Sequence, residues 1–404
     1  MSYLINLSIL KSNRNYRLLY FGQFVSFLGT MITSVALPYQ IYHETHSTLM
    51  VGLLSLFQLL PLLLTALIGG VLADRQHRKI LLLISESLMA LGCLALAMNA
   101  NLSMPYIWII FVVAIFMSGI NGLHRPALDS ITQQIVPKED FPMISSLSTF
   151  TYSTCMIAGP ALGGLIISHF GLVITFIIDF ISFICSLIAL LMLSHIPKPQ
   201  PANDESAIKS LIEGFRYAIA RQELLGTYFV DFAAMIFGMP MALFPAIAQS
   251  YGGVKTLGLL YSAPAIGAVI ISFYSGWIKH IKRHGVAIAV AATLWGVSII
   301  FFGLSHHLYL ALIFLAFAGA FDAVSGIFRQ IMWNETIPNE YRGRLSGIEM
   351  ISYMSGPKLG DTEAGLVAAA FGITVSVVSG GVLCIIGVAI CCYYLPKFWQ
   401  YRSQ

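Results

Sequence analysis

The sequence predicts an all-α membrane protein with about twelve spanning helices in two related six-helix bundles. Its composition, the spacing of its apolar runs and an internal repeat support this prediction. Hydrophobic residues make up 57% of the 404 residues and charged residues only 10%, whereas a soluble domain carries roughly 25% charged residues. The mean hydropathy is +0.81, so most of the surface is suited to lipid rather than to water.

Apolar runs recur along the whole chain, each long enough to cross a hydrocarbon core of about 30 Å. Charged residues between the runs mark their limits. The predicted spans are 17–41, 49–73, 80–99, 105–125, 141–168, 172–194, 223–249, 257–278, 286–305, 308–332, 345–370 and 374–395. This arrangement leaves no room for a sizeable soluble domain.

One long polar connection divides the chain. It begins with Pro197, Pro199 and Pro201, which cannot continue a helix. From Ala207 onward apolar residues recur at helical spacing, which predicts an amphipathic helix on the membrane surface. We therefore predict an N-terminal bundle (1–195), a cytoplasmic linker (196–221) and a C-terminal bundle (222–404).

The two halves of the chain repeat each other. Residues 134–147 align with residues 335–348 at a constant offset of 201. The matched pairs are Pro137 with Pro338, Glu139 with Glu340, and Ser145 with Ser346. Parallel repeats of this kind build two-bundle membrane proteins that hold a central site between the halves.

Basic residues indicate the orientation. If the N-terminus is cytoplasmic, every Lys and Arg except Lys255 and Lys358 lies at or near the cytoplasmic side. This bias predicts an inner or plasma membrane protein with both termini in the cytoplasm. The first residues lack a cleavable signal pattern, so we expect the first span to be retained.

Several other classes of protein are disfavoured. The six cysteines show no zinc-binding or disulfide spacing. His43, His46, His306 and His307 lie near outer loops, but no set of carboxylates completes a metal shell. The basic residues are dispersed rather than gathered in one patch. We therefore predict a monomer that is not an enzyme and has no metal, cofactor or nucleic-acid partner.

The segment GVLADRQHRK (70–79) carries a loop motif. It resembles the cytoplasmic motif of the major facilitator superfamily, except at His77, where that family usually has glycine. The resemblance implies the major facilitator fold and a gate that latches the two bundles. A plain topological anchor is the alternative. The gate residues implied are Gly70, Asp74, Arg75, Arg78 and Lys79, with Arg125 and Asp129 after the fourth span.

The fifth span contains AGPALGG (158–164). It resembles the glycine–proline motif of the superfamily's antiporters, which implies export by antiport. The residues are Gly159, Pro160, Gly163 and Gly164. Proline removes a helix hydrogen bond and glycine permits close helix approach, so a simple packing kink is the alternative.

Two further resemblances point to one branch of the superfamily. The segment RPALDSITQQIVP (125–137) is similar to that of the drug:proton antiporter-3 branch. The runs NLSILK (6–11), THST (45–48) and VGL (51–53) are similar to enterobactin (siderophore) exporters of that branch. These resemblances imply a siderophore as substrate.

Ionisable residues within predicted spans are costly and usually functional. They are Glu86, Asp179, Asp231, Asp322, Lys358 and Asp361, with Glu363 just beyond. Counting about 1.5 Å per residue places Asp231 and Lys358 near the middle of the membrane, which makes them a candidate proton- or substrate-binding pair. Lys358 and Asp361 share a helix face and could instead form a structural ion pair.

Aromatic residues at these depths predict the lining of a central cavity for a large, partly apolar molecule. The candidates are Tyr39, Phe57, Tyr152, Tyr228, Phe237 and Tyr261. The leading hypothesis is a proton-driven secondary exporter of a siderophore across the lipid bilayer. A multidrug or macrolide efflux transporter, or a lipid transporter of the same superfamily, is the alternative.

Overall fold

A computed structural model describes residues 8–75, 77–194, 213 and 215–403. Only the backbone is described at residues 67, 70–75, 138, 275, 279, 339–344, 346–348 and 350. Helices follow one another along the described ranges, which contain no strand. The predicted all-α class is therefore confirmed.

The first half of the chain forms long helices joined by short connections. They are α1 (Ser8–Ser12), α2 (Arg14–Thr45), α3 (Thr48–Arg75), α4 (Arg78–Ala100), α5 (Ile107–Ile135) and α6 (Phe141–Leu191). The 51-residue α6 is interrupted at Gly171, whose φ of 78° and ψ of 177° are not helical. The two parts of α6 therefore supply the fifth and sixth predicted spans.

The second half of the chain also consists of helices joined by short connections, and several of these helices are shorter. Its helices are α7 (Gln222–Phe237), α8 (Phe244–Ser250), α9 (Val254–Phe273), α10 (His284–Leu304), α11 (Leu308–Thr336), α12 (Asn339–Phe371), α13 (Ile373–Tyr394) and α14 (Pro396–Trp399). Short 3₁₀ turns at Met241–Leu243 and Ser275–His280 follow α7 and α9.

Among the described residues, 10 segments are long and apolar enough to cross a membrane. One of them is α6, which contains two predicted spans. Helix α12 is not among them and carries Lys358, Asp361 and Glu363 close together. With α6 counted as two spans, α7 and α8 together as one, and α12 added, the long helices correspond to the twelve predicted spans.

The chain divides into two compact units. The first unit comprises Met1–Glu44 and Phe57–Asp204, and the second comprises Thr45–Leu56 and Glu205–Gln404. Residues 195–212 and 214 of the predicted linker lie outside the described residues. Beyond them, residues 215–219 are helical, with Phe215 and Ile219 exposed and Ala218 buried.

The C-terminal segment packs into the second unit. Phe398 is fully buried beside Val230 and Phe328. Glu335 accepts hydrogen bonds from the Tyr401 hydroxyl at 3.0 Å and the Ser403 hydroxyl at 2.7 Å. Burial, and then the Glu335 carboxylate, raise the pKa of Tyr401 to about 12. Tyr401 therefore stays neutral at physiological pH and holds the segment in place.

Candidate substrate cavity and membrane-embedded charges

The first unit contains a cavity of about 550 Å³, lined by side chains of α2, α4, α5 and α6. Its α2 wall is aromatic: Tyr16, Tyr20, Phe24 and Phe27 all line it. Residues three or four positions apart share one helix face. The ring centroids of Tyr16 and Tyr20 are 6.0 Å apart, and those of Tyr20 and Phe24 are 6.5 Å apart. Tyr16, Tyr20 and Phe24 therefore form a row of neighbouring rings, and Phe27 lies further along the same wall.

Helix α6 adds to this aromatic wall. Tyr152 stacks on Phe27, with ring centroids 6.0 Å apart and an interplanar angle of 19°. The neighbouring Thr151 donates a hydrogen bond from Oγ1 to the Tyr20 hydroxyl at 3.0 Å. Tyr152 is nevertheless 40% exposed, so part of its ring faces the open space.

The α5 wall of the cavity is polar. Asn121, His124, Arg125, Asp129 and Thr132 line it at helical spacing. Arg125 and Asp129 are both exposed. The cavity thus combines aromatic faces, hydrogen-bonding groups and the opposite charges of Arg125 and Asp129, which suits an aromatic molecule that carries polar oxygen atoms.

A buried carboxylate lies behind this polar wall. Glu86 on α4 is fully buried. Its Oε1 lies 3.2 Å from Nε2 of His124 and accepts a short hydrogen bond from Nε2 of Gln23. Gln23 also donates to the Ser186 hydroxyl at 3.1 Å. Side chains of α2 and α5 therefore contact Glu86 directly, and α6 joins them through Gln23.

A second buried carboxylate in the first unit is more completely paired. Asp179 accepts hydrogen bonds from Thr33 Oγ1 at 2.6 Å and Ser182 Oγ at 3.0 Å, and its Oδ2 lies 3.3 Å from Cys93 Sγ. Thr33 and Cys93 both reach Oδ2, whereas the single hydroxyl hydrogen of Ser182 is shared between Oδ1 and the Asp179 carbonyl oxygen, which lies 2.7 Å away. This arrangement joins α2, α4 and the second part of α6, and it suits a structural role.

The loop motif is described only in part. The side chains of Gly70, Asp74 and Arg75 lie outside the described set. Arg78 donates to the Ser130 carbonyl at 3.3 Å, and Lys79 donates to the Leu191 and Leu193 carbonyls at 3.3 and 2.9 Å. These bonds hold the start of α4 against the ends of α5 and α6.

His77 replaces the glycine usual in the motif. It forms the N-cap of α4 with a φ of −69° and a ψ of 104°. A residue with a side chain adopts this extended conformation without strain. The turn therefore forms here without the conformational freedom of glycine.

The glycine–proline motif of α6 packs against α2. Gly159, Pro160, Gly163 and Gly164 are all buried. A Cβ atom added at Gly159 would overlap the Met31 side chain, and one at Gly163 would lie 3.1 Å from the Ile32 carbonyl oxygen. The motif therefore allows close approach of α6 to the helix that carries the aromatic wall.

The second unit holds its own charge cluster. Arg329 on α11 forms a close ion pair with Asp231 on α7, and its Nη2 lies 3.8 Å from Asp322. The side chains of Arg329 and Asp231 are only 13% and 15% exposed, whereas that of Asp322 is 42% exposed. The structure thus brings Asp231 together with Arg329 and Asp322.

Asp361 on α12 is bound at both oxygens. Its Oδ2 accepts a hydrogen bond from Ser55 Oγ at 2.9 Å, and its Oδ1 accepts one from the Ala242 amide at 2.9 Å. Lys358 lies one turn earlier, where its carbonyl accepts a hydrogen bond from Thr362 at 2.8 Å. Glu363 is partly exposed on the same helix.

Apart from Tyr152, the aromatic candidates lie away from the cavity of the first unit. Tyr39 stacks on His43, and Phe57 packs edge-on against Phe111 with half its surface exposed. The remaining three belong to the second unit. Tyr228 packs on Trp333, Tyr261 donates to the Met241 carbonyl at 3.0 Å, and the Phe237 carbonyl meets Gly380.

No group of three His, Cys, Asp or Glu side chains is placed to hold a metal ion within the described ranges. A helical, lipid-suited chain with polar and charged groups inside its bundles is instead typical of membrane transporters. Fold and site therefore define a multi-pass transporter of the major facilitator type. The chain belongs to the transmembrane secretion effector family (MFS_3), which it matches over residues 7–401.

The chain is similar to enterobactin exporters. It is 29% identical over 391 residues to the enterobactin exporter EntS of Shigella flexneri, covering 96% of this chain and 94% of the relative. It is also 28% identical to the enterobactin exporter EntS of Escherichia coli O1:K1, again over 96% of this chain and 94% of the relative.

Solved transporters share its fold. A POT family transporter bound to 5-aminolevulinic acid superimposes with a TM-score of 0.75 at 14% identity, over 96% of this chain and 97% of that one. A peptide transporter POT bound to sulfate superimposes with a TM-score of 0.74 at 14% identity. The match covers 97% of this chain and 96% of that transporter. The predicted major facilitator fold is therefore confirmed.

Proposed function

We propose that this chain is a secondary active exporter of a siderophore-type small molecule. In this proposal it works by alternating access and is driven by protons that move in the opposite direction. Relatives named as enterobactin exporters match 96% of the chain, which supports the direction and the class of substrate. The internal repeat found in the sequence supports alternating access.

The observation that carries the proposal is the cavity of the first unit. Its volume of about 550 Å³ falls in the range of about 300–1,000 Å³ for small-molecule sites. A catecholate siderophore presents aromatic rings and ionisable oxygens. The partly exposed rings of Tyr20, Phe24, Phe27 and Tyr152 offer faces for ring stacking. Arg125 supplies a planar cation for the oxygens.

The distribution of basic residues supports a location and an orientation in the membrane. Basic residues concentrate between apolar spans on one side, which supports an inner-membrane location with both termini in the cytoplasm. We propose that the chain acts as a monomer in the bilayer. Asp74 and its neighbours in the loop motif remain the proposed cytoplasmic gate.

An efflux assay tests the proposal directly. Cells lacking their own siderophore exporters are loaded with labelled enterobactin or with ethidium, and release is followed with and without the protein at two imposed pH gradients. We expect enterobactin efflux to increase with the inward proton gradient while ethidium efflux stays at background. Ethidium efflux without enterobactin efflux would favour a multidrug transporter, and efflux insensitive to the gradient would rule out proton coupling.

Removing the Tyr152 ring is expected to weaken substrate binding. The Tyr152→Ala variant loses a stacking surface, and such contacts are worth about 0.5–1.5 kcal/mol beyond buried area. We expect the apparent affinity for enterobactin to fall about tenfold or more, measured by fluorescence quenching of purified protein.

The matched control for this variant is Phe150→Ala on the same helix. Phe150 is 48% exposed and does not line the cavity. We expect its affinity to be unchanged. Equal losses in both variants would contradict a binding role for the aromatic wall.

A further inference from the structure

The buried carboxylate behind the cavity wall is only half satisfied. Oε1 of Glu86 contacts both His124 and Gln23. Oε2 is buried without a hydrogen-bond partner among the described residues. An ionised carboxylate in a low-dielectric site needs donors at both oxygens. Glu86 therefore lacks the full set of donors that would fix it in the charged form.

Asp179 provides the contrast within the same unit. It is equally buried, but a hydroxyl group lies within hydrogen-bond distance of each of its oxygens. No such group lies near Oε2 of Glu86 among the described residues. Of the two carboxylates, Glu86 is the one that has an oxygen without a donor and that contacts side chains of the cavity wall.

His124 connects Glu86 to the cavity. Its side chain is 16% exposed, while that of Glu86 is 0% exposed. His124 and Gln23 both line the cavity, and both contact Oε1 of Glu86. A proton can therefore pass from cavity water to the imidazole and then from Nε2 to Oε1. Histidine is the side chain best suited to this relay near neutral pH.

The charged and titratable groups around the pair come from every helix that packs there. Helix α5 contributes Arg125 and Asp129, and α2 contributes Tyr16 and Tyr20. Asp179 of α6 lies two turns further along α4, where it contacts Cys93. On this side the cation Arg125 is next in sequence to His124, and Asp129 lies about one turn further along α5.

We propose that Glu86 and His124 form the proton-binding site of this transporter, and that substrate in the cavity displaces the proton. The inference rests on the proposed proton-driven export and assigns its coupling ion to named residues. A substrate that contacts Gln23 and His124 changes the donors available to Oε1 of Glu86. The carboxyl group then ionises, and its proton leaves through His124 to the cavity.

Infrared difference spectroscopy tests the site without any substrate. The full chain in lipid nanodiscs is titrated between about pH 9 and pH 5, a range that brackets the ordinary pKa of histidine. We expect the C=O stretching band of a protonated carboxyl group to grow as the pH falls. Glu86→Gln should remove one component of this band, and His124→Asn should change the pH dependence of that component.

The matched control is Asp179→Asn, which removes another fully buried carboxyl group of the same unit and should keep the component that Glu86→Gln removes. Glu86→Asp retains a carboxyl group and should move the midpoint of that component, which covers the case in which Glu86→Gln does not fold. A band of wild-type amplitude in Glu86→Gln, or the loss of the same component in Asp179→Asn, would overturn the assignment.

Proton release on substrate binding supplies the second readout. Enterobactin added to weakly buffered wild-type protein should release protons, whereas Glu86→Gln should bind enterobactin and release none. Wild-type release in Glu86→Gln would overturn the inference. If the wild type neither binds nor exports enterobactin, the proposed substrate is wrong, and the infrared titration still decides the role of Glu86.

Discussion

Replacing Gly319 with alanine is expected to destabilise the second unit by at least about 2 kcal/mol. At this position α9 and α11 approach each other through their backbones. A Cβ at Gly319 would overlap the Pro264 carbonyl group, and a Cβ at Gly267 would overlap that of Ala316. Backbone atoms cannot rotate aside, so the helices must separate and lose contacts. Thermal unfolding of the purified protein measures the effect.

A control lies on the same helix. A Cβ at Gly326 would meet only Nη2 of Arg329, at an ordinary contact distance of 3.7 Å. Since alanine favours a helix over glycine by about 1 kcal/mol, Gly326→Ala is expected to be neutral or stabilising. Equal melting temperatures for Gly319→Ala and the wild type would contradict the close helix approach. Small residues at such crossings are typical of membrane helices.

The spans were predictable because lipid imposes a simple rule. A spanning segment must satisfy its own backbone hydrogen bonds and present apolar side chains, so the positions of the helices follow from apolar runs and charged breaks. The division of α6 was also visible, because Gly171 lies between two apolar runs. Its positive φ is a conformation that glycine adopts at little cost.

The cavity was predictable only in part. The depth of Tyr152 in its span predicts it as part of the cavity lining. The same criterion does not predict Tyr16, Tyr20, Phe24 or Phe27. Their spacing places them on one helix face, and this signal was present in the sequence. Depth gives the height of a residue in the membrane, but the lining of a cavity depends on the direction in which the residue faces.

Pairings between helices were the hardest to predict. Depth suggested Lys358 as the partner of Asp231, while the structure pairs Asp231 with Arg329. Glu86 was recognised as a membrane charge, but its contact with His124 depends on how α4 and α5 are rotated against each other. Helix packing allows several crossing geometries for the same apolar pattern, so a single sequence does not determine these contacts.

Neutralising Asp231 is expected to cost about 3 kcal/mol of stability, because it leaves the largely buried Arg329 without its close partner. Asp322 lies 3.8 Å from Arg329 and is more exposed, so it compensates poorly. Asp322→Asn should therefore cost less than about 1 kcal/mol. Thermal unfolding of Asp231→Asn and Asp322→Asn measures the difference.

The double variant Asp231→Asn/Arg329→Gln separates a structural pair from a coupling site. Replacing both partners removes the unpaired cation, so we expect most of the stability lost in Asp231→Asn to return. Efflux by the double variant should keep its pH dependence if Glu86 and His124 bind the proton. If the double variant is stable but its efflux no longer responds to pH, Asp231 itself is the coupling carboxylate. In that case the ion pair with Arg329 is one state of the transport cycle rather than a fixed support.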